Sequence, residues 1–509
     1  MAAAWRSRAA DSLCHGGGRA ACGVEVSQPE EPHRRHAHSR SRRRQGGPAM
    51  KRLAAFLLVA ASAAGQTLKL PAHERQVLPN GATLILAPGS DVPLTTVRVV
   101  FRGGAEADPQ GKAGVAALTA NLLRRGAGSL TYEQISEQLD GLGATLNASA
   151  TPQSTVIAAD FLTAAADPAL AILADVLARP VFPEAEVKKV LAESVDRSKS
   201  AKDNPQAAIG LYLAPFFFGP GHPYGQVADE ISFARITRED VLSYHKKMYT
   251  GKNAIAVAAG RFDPKALGPK IAAVVGSLPA GEAYSWKKAD PPAFPESRLL
   301  LIDKPDATQT YFRIAMPGID RNHPDRNALT LVNTLFGGRF TSMLNDALRV
   351  NSGVTYGANS IVERNRLPGA IYISTYTRTD TTAKAIDMSL VLLKQLREKG
   401  VSKEMLDSAK AYVKGSLPTQ ILETSLQVSD TLAELELFGQ SRAEIEELFA
   451  RLDAVSVEEA NRAARKFYTL DNLQFLLIGN AARIKETAAK YARKMKVVPV
   501  TEPGFAPGF

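Results

Sequence analysis

The side chains that could bind a metal or activate a water are used sparingly in this sequence. Of its eight His, four lie in residues 1–49 together with both cysteines, Cys14 and Cys22. Beyond residue 65 only His73, His222, His245 and His323 remain, no two closer than 23 residues and none in a His-x-x-x-His spacing. Two His at i and i+4 share one helix face and can hold a tetrahedral Zn²⁺ between them, whereas isolated His are more often structural or solvated. His222 and His323 each precede a proline, and His245 follows Tyr244 late in a helical stretch. With no cysteine after residue 22, the main body has neither a disulfide nor a thiolate metal site.

The elements that must position any site are duplicated. Ile236-Thr237-Arg238-Glu239-Asp240 opens a helical stretch that runs to Tyr249-Thr250, then Asn253, an apolar strand and Gly260. Val455-Ser456-Val457-Glu458-Glu459 opens the same series, through Tyr468-Thr469 and Asn472 to Gly479, displaced by 219 residues throughout. Thr237 and Ser456 read as helix N-caps, followed by acidic residues that the helix dipole favours. Between the copies, 279–296 (PAGEAYSWKKADPPAFPE) is rich in Pro and charge and suits an extended linker. Alternating strands such as Thr95–Phe101 mix with amphipathic helices such as Glu184–Lys199. Hairpin-like pairs recur at Thr145–Ala150 with Thr155–Phe161, and at Thr355–Val362 with Gly369–Tyr376. The expected fold is α+β: two homologous domains, 66–278 and 297–499, each a largely antiparallel sheet flanked by helices, then a tail, 500–509.

Charge needs its location before it means anything. The chain of 509 residues carries a formal +11, which suggests nucleic acid. Residues 1–65, however, hold eleven of the 62 Lys/Arg and only four of the 51 Asp/Glu, so the remainder carries +4 and no nucleic-acid partner is expected. Within that segment Met50-Lys51-Arg52 precedes an apolar run from Leu53 to Ala61 and then Ser62-Ala63-Ala64-Gly65. That is the order of a secretory signal peptide over 50–65, too short for a transmembrane span of roughly 20 residues. The expected true start is Met50, with 1–49 a basic, disordered and mis-assigned extension, and the expected location is periplasmic or secreted.

Several short motifs, in order, resemble the pitrilysin/insulinase zinc peptidases, a family that includes mitochondrial processing peptidase. They are Leu78-Pro79-Asn80-Gly81, Gly103–Asp108, His222-Pro223-Tyr224-Gly225, Tyr249-Thr250-x-x-Asn253 and Asp303–Gln309, and the likeness covers nearly all of 67–490. The resemblance implies the processing-peptidase-like metallohydrolase fold. It also implies a helix carrying His-x-x-Glu-His, two zinc ligands and a general base, with a third ligand, Glu, about 70 residues on. Aligning Gly114-Val115-Ala116 and Gly126 with the family puts Ala117, Ala120 and Asn121 at those three positions, and Glu193 near the third-ligand position. Neither Ala has a donor atom, and Asn121 offers only a neutral amide, so the resemblance implies no metal and no catalytic residue in this chain.

A second signature is intact. Leu335-Phe336-Gly337-Gly338 through Ser342-Met343-Leu344, then Leu348-Arg349 and Gly353-Val354-Thr355-Tyr356, resembles the segment whose Arg and Tyr bind substrate backbone and support the oxyanion in catalytic members. Arg349 and Tyr356 match those positions, and a guanidinium and a phenol both donate hydrogen bonds toward a carbonyl gaining negative charge. Gly337-Gly338 is either a substrate-contacting loop or a tight turn. The expectation is a proteolytically inactive subunit that pairs with a zinc-bearing homologue and binds a peptide as an added strand. The competing readings are a stand-alone peptide-binding or structural core subunit, a metallopeptidase with a relocated metal site, and a nucleic-acid binder acting through its basic tail.

Overall fold

The structure is a computed structural model that describes residues 68–89 and 91–509. The extension 1–49 and the signal segment 50–65 lie outside the described residues. Residues 67–509 form one compact unit.

Two six-stranded sheets carry the fold. The first contains β1 (Glu74–Val77), β2 (Thr83–Pro88), β3 (Leu94–Arg102), β4 (Thr145–Ala150), β5 (Ser154–Leu162) and β6 (Ala254–Gly260), in the order β1-β2-β6-β3-β5-β4. The second contains β7 (Arg298–Asp303), β8 (Gln309–Pro317), β9 (Ala358–Arg364), β10 (Pro368–Arg378), β11 (Gln474–Gly479) and β12 (Lys494–Pro499), in the order β12-β7-β11-β8-β10-β9. Five strands therefore repeat in the same order. The sixth does not: β1 joins antiparallel to β2, whereas β12 joins parallel to β7. Antiparallel pairing prevails in both sheets, but β2 with β6 and β7 with β11 are parallel. Of these, β6 and β11 are fully buried and, Gln474 apart, apolar throughout, as a strand covered on both faces must be.

The helices relevant to function are α1 (Val115–Leu122), α2 (Glu184–Ala201), α3 (Pro205–Phe218), α4 (Arg238–Met248), α5 (Ser425–Leu437) and α6 (Val457–Phe467). The repeat at α4 and α6 holds to the level of single bonds. Thr237 with Asp240, and Ser456 with Glu459, form complete capping boxes. Tyr249 and Tyr468 end the helices in the same backbone conformation and are fully buried, packing on Phe101 and Phe336 at ring distances of 4.5 and 5.1 Å. Asn253 and Asn472 each hold the connecting strand 279–296: Asn253 Oδ1 accepts from the Tyr284 N–H, and Asn472 Nδ2 donates to the Phe294 carbonyl at 2.8 Å.

The halves exchange helices. α5, from the second half, lies across β3 and β6 of the first sheet. It buries Val428, Leu432, Ala433 and Leu435. α3, from the first half, lies across β8 and β11 of the second sheet, burying Ile209, Tyr212, Leu213, Phe216 and Phe217. At roughly 1.5–3 kcal/mol for each large side chain removed from water, each crossing contributes on the order of 10 kcal/mol before entropy is counted. Polar contacts fix the α5 crossing: Arg98, nearly buried in β3, meets Asp430 at 3.2 Å, and Arg75 meets Glu436 at 2.8 Å. The tail 500–509 is anchored. Phe505 is fully buried against Tyr212 at 5.0 Å, and Phe509 reaches Phe216 at 5.4 Å.

Neither half can keep its sheet covered once the other unfolds. The chain is expected to unfold in a single cooperative transition when followed by both far-UV circular dichroism and tyrosine fluorescence. Leu432→Ala should cost about 2–4 kcal/mol while keeping the two probes coincident. Separate transitions for the two probes would contradict the exchange.

Candidate functional site

α1 is the helix on which the zinc motif would stand, and its placement begins with Gly114. This residue is left-handed (φ 105°), and a Cβ there would lie 2.7 Å from the Phe233 ring. Asp108, buried, caps the helix: its two carboxylate oxygens accept the Gly114 and Ala116 N–H groups at 2.6 and 2.7 Å. Burial outweighs those two bonds and pushes its carboxyl up to about 7. Asp108 stands in the sequence as the end of the Gly103–Asp108 motif, but its role as the cap of α1 was not read from it. An acid six residues before a glycine is a weak signal, because the cap is made across a loop.

Ala117 is exposed, Ala120 is fully buried and Asn121 is half-buried. Ala117 and Asn121, one turn apart, share a face of α1. Glu193 stands on the neighbouring helix α2, half-exposed, with its carboxylate 4.0 Å from the Arg125 guanidinium. Arg125 also bonds Glu186 at 3.2 Å and lies over the Tyr132 ring at 4.3 Å. The charge nearest Glu193 is thus a side-chain cation. The donor set does not fit zinc, since Glu193 is the only carboxylate among the four positions and the others offer two methyl groups and an amide. Among the described residues, no group of three or more His, Cys, Asp or Glu is arranged to hold a metal ion.

Each remaining histidine has a local task. His73 Nδ1 is 3.1 Å from the Pro71 carbonyl. His222 accepts the Tyr224 N–H at Nδ1 and stacks on Phe218, and burial holds its pKa below the ordinary value. His245 stacks on Tyr249 and meets the Leu177 carbonyl; burial lowers it as well. His323 accepts the Asp325 N–H. Tyr224, of the His-Pro-Tyr-Gly motif, serves the junction of the halves: its hydroxyl receives Gln153 Nε2 at 2.6 Å and the Leu367 N–H at 3.0 Å. Beside it the fully buried Glu106 carboxylate meets Arg366 at 2.9 Å.

The second-half segment is built differently. Two π-helical turns, Thr334–Gly338 and Asp346–Asn351, bracket it. Such turns recur at functional sites. Gly337 is buried with an ordinary φ; what requires glycine is space, for a Cβ would meet the Ser360 N at 2.3 Å. Gly338 is exposed. Arg349 lies over the Phe340 ring at 4.7 Å and the Tyr356 ring at 4.6 Å. Tyr356 is 73% exposed and Phe340 61%. Among the described residues no hydrogen bond or ion pair engages the Arg349 guanidinium. Arg349 and Tyr356 come together, as their spacing requires. Their ring contacts stay within 340–356, while the contacts of Glu193 run to Arg125.

Residues 86–214 match the family described as "Insulinase (Peptidase family M16)", and residues 235–413 match "Peptidase M16 inactive domain". The chain is 23% identical over 401 residues to a Bacillus subtilis protein named "Uncharacterized zinc protease YmxG", covering 78% of this chain and 96% of the relative. It is 22% identical over 403 residues to the Helicobacter pylori "Non-peptidase homolog YmxG", covering 77% and 91%. The crystal structure of a peptidase M16 inactive domain from Pseudomonas fluorescens superposes with a TM-score of 0.75 at 25% identity, covering 80% of this chain and 98% of that one.

The raised Asp108 carboxyl has a definite sign in a stability profile. Above an unfolded value of 3.8 and below about 7, the folded chain keeps a proton that the unfolded chain has released. Native stability from this group therefore falls as pH rises through that window. Asp108→Asn cannot ionise, so the stability gap between the native and altered proteins should narrow from about pH 4 to about pH 7. Denaturant midpoints at several pH values would check this, and a constant gap would refute it.

Proposed function

The chain belongs to the insulinase-type M16 peptidase family as a non-catalytic member, and from that premise we propose that it is the metal-free half of a two-chain peptidase. Its partner is a homologue that keeps the His-x-x-Glu-His helix and supplies the zinc, the bound water and the general base. This chain supplies peptide-binding surface and the Arg349–Tyr356 pair. The observation that carries the reading is the asymmetry between the two segments. α1 carries neither His nor carboxylate at positions 117, 120 and 121, whereas Arg349 has no polar partner among the described residues and lies beside an exposed phenol, as a donor awaiting an acceptor from another molecule would.

The chemistry asked of this chain is limited. A peptide strand bound by backbone hydrogen bonds presents its scissile carbonyl to the partner's metal-bound water. As the carbonyl oxygen gains negative charge, a guanidinium and a phenolic O–H donate to it, and such donors act most strongly where water is excluded. No proton transfer falls to this chain.

Co-expression with a zinc-bearing homologue is the direct test. The pair should purify together with one zinc, cleave unfolded peptides, and lose cleavage about 100-fold on Arg349→Ala, the scale of one lost oxyanion donor. The isolated chain should show neither zinc nor cleavage. Stoichiometric zinc and cleavage by the single chain would overturn the proposal. Activity of the pair that survives both Arg349→Ala and Tyr356→Phe would remove the role of this site.

We also infer export through the segment 50–65. Mass spectrometry of the periplasmic or secreted protein should find the mature chain beginning at Gln66. An intact 1–65 segment on a cytoplasmic protein would refute this.

A further inference from the structure

Arg349 is accounted for by the family likeness, but what holds it is not. A free guanidinium on a four-bond stem loses rotamer entropy whenever it binds, and an unheld one wastes part of its interaction on ordering itself. Phe340 lies outside the Gly-Gly, Ser-x-Leu and Arg…Tyr positions that define the motif. Yet its ring, 61% exposed, sits 4.7 Å from the centre of the Arg349 guanidinium.

The surroundings show that the contact is built. Asn345, buried, donates from Nδ2 to the Phe340 carbonyl at 2.8 Å and accepts the Ala358 N–H at Oδ1 at 3.4 Å. One side chain therefore ties the backbone of Phe340 to the start of β9, two residues beyond Tyr356. Ser342 caps the turn that follows Phe340 by accepting the Asn345 N–H. On the other side the Leu348 carbonyl receives the N–H groups of Val354 (3.0 Å) and Thr355 (3.2 Å), fixing the loop that carries Tyr356 to the residue before Arg349. The backbone positions from which both aromatic rings and the arginine project are thus tied together by these buried bonds.

We propose that Phe340 is a positioning residue of the Arg349–Tyr356 site. Its ring face holds the guanidinium by cation–π attraction, so that the N–H edge, which no hydrogen bond or ion pair engages among the described residues, is presented to a backbone carbonyl of a bound peptide. The inference rests on the peptide-binding role proposed for Arg349. It adds the residue that prepares that role and explains why an exposed phenylalanine stands there. Guanidinium groups stack on aromatic faces while their edges stay free to donate, which makes the two contacts compatible.

The test uses the full chain and fluorescein-labelled casein, an unfolded polypeptide, with binding followed by anisotropy. Phe340→Trp should bind at least as tightly as the native chain, because indole is the strongest cation–π partner. Phe340→Leu, similar in apolar character but without a ring face, should weaken binding about 3- to 10-fold, approaching the loss caused by Arg349→Ala. In an Arg349→Ala background, Phe340→Leu should add little further loss, since a positioning residue has nothing left to position. Thermal unfolding should be unchanged in all three single variants, as none of these side chains is buried. Equal binding by the Leu and native proteins, alongside a clear loss for Arg349→Ala, would overturn the inference and leave the Arg349 site standing. Additive losses in the double variant would also overturn it, by making Phe340 an independent contact. Casein binding insensitive to Arg349→Ala, or absent from the native chain, would overturn the site and this inference together.

Discussion

Each sheet in this protein is closed by a helix that the other half supplies, and most of the structure follows from that exchange. α3 seals the second sheet with five large apolar side chains, and α5 seals the first with a comparable set pinned by Asp430 and Glu436. A half deprived of its neighbour would present a sheet face of buried Val, Ile and Ala to water. The halves are therefore one body in energetic terms. The junction where Glu106, Arg366 and Tyr224 meet inherits its rigidity from the two crossings. A site assembled from surfaces on this body gains precision from that rigidity, and loses any ability to close by hinging one half upon the other.

The sequence made the repeat readable because its determinants are local. Caps at Thr237 and Ser456, the Tyr-Thr turns and the apolar runs that follow depend on neighbours a few residues away, so a displacement of 219 residues reproduces them. Hairpins β4–β5 and β9–β10 were legible for the same reason. The helix exchange was not. Val428 and Leu432 show that α5 has an apolar face, but nothing in their spacing says that the surface beneath it begins more than 300 residues earlier. The parallel pairing of β2 with β6 and of β7 with β11 was hidden likewise, since partners distant in the chain leave no turn signal. At the site, type and spacing were enough to bring Arg349 and Tyr356 together. They were not enough for Asp108 or Asn345, whose partners are backbone N–H and C=O groups that carry no residue identity.

Helix α1 is held in place with no metal ligand on it. Asp108 still caps α1, and Gly114 still takes the left-handed turn that the cap requires. Glu193, on α2, faces Arg125 at 4.0 Å. The cap and the turn of the helix are in place although positions 117, 120 and 121 carry neither His nor carboxylate. That pattern is expected where the helix serves packing and the adjoining edge strand β4 remains useful. Arg124, next to Arg125, donates to the Leu146 carbonyl of that strand at 2.7 Å, tying the helix end to the sheet edge.

The buried tail has a consequence for biosynthesis. Tyr212 and Phe216, on α3, leave the ribosome long before Phe505 and Phe509, the residues that complete their cover. Throughout that interval an aromatic helix face stands bare, along with the first sheet that waits for α5. Domain-by-domain folding behind the ribosome is closed to this chain, and exposed apolar surface of this kind is what holding chaperones recognise. A protein with this topology should depend on being kept unfolded until its last residue is made.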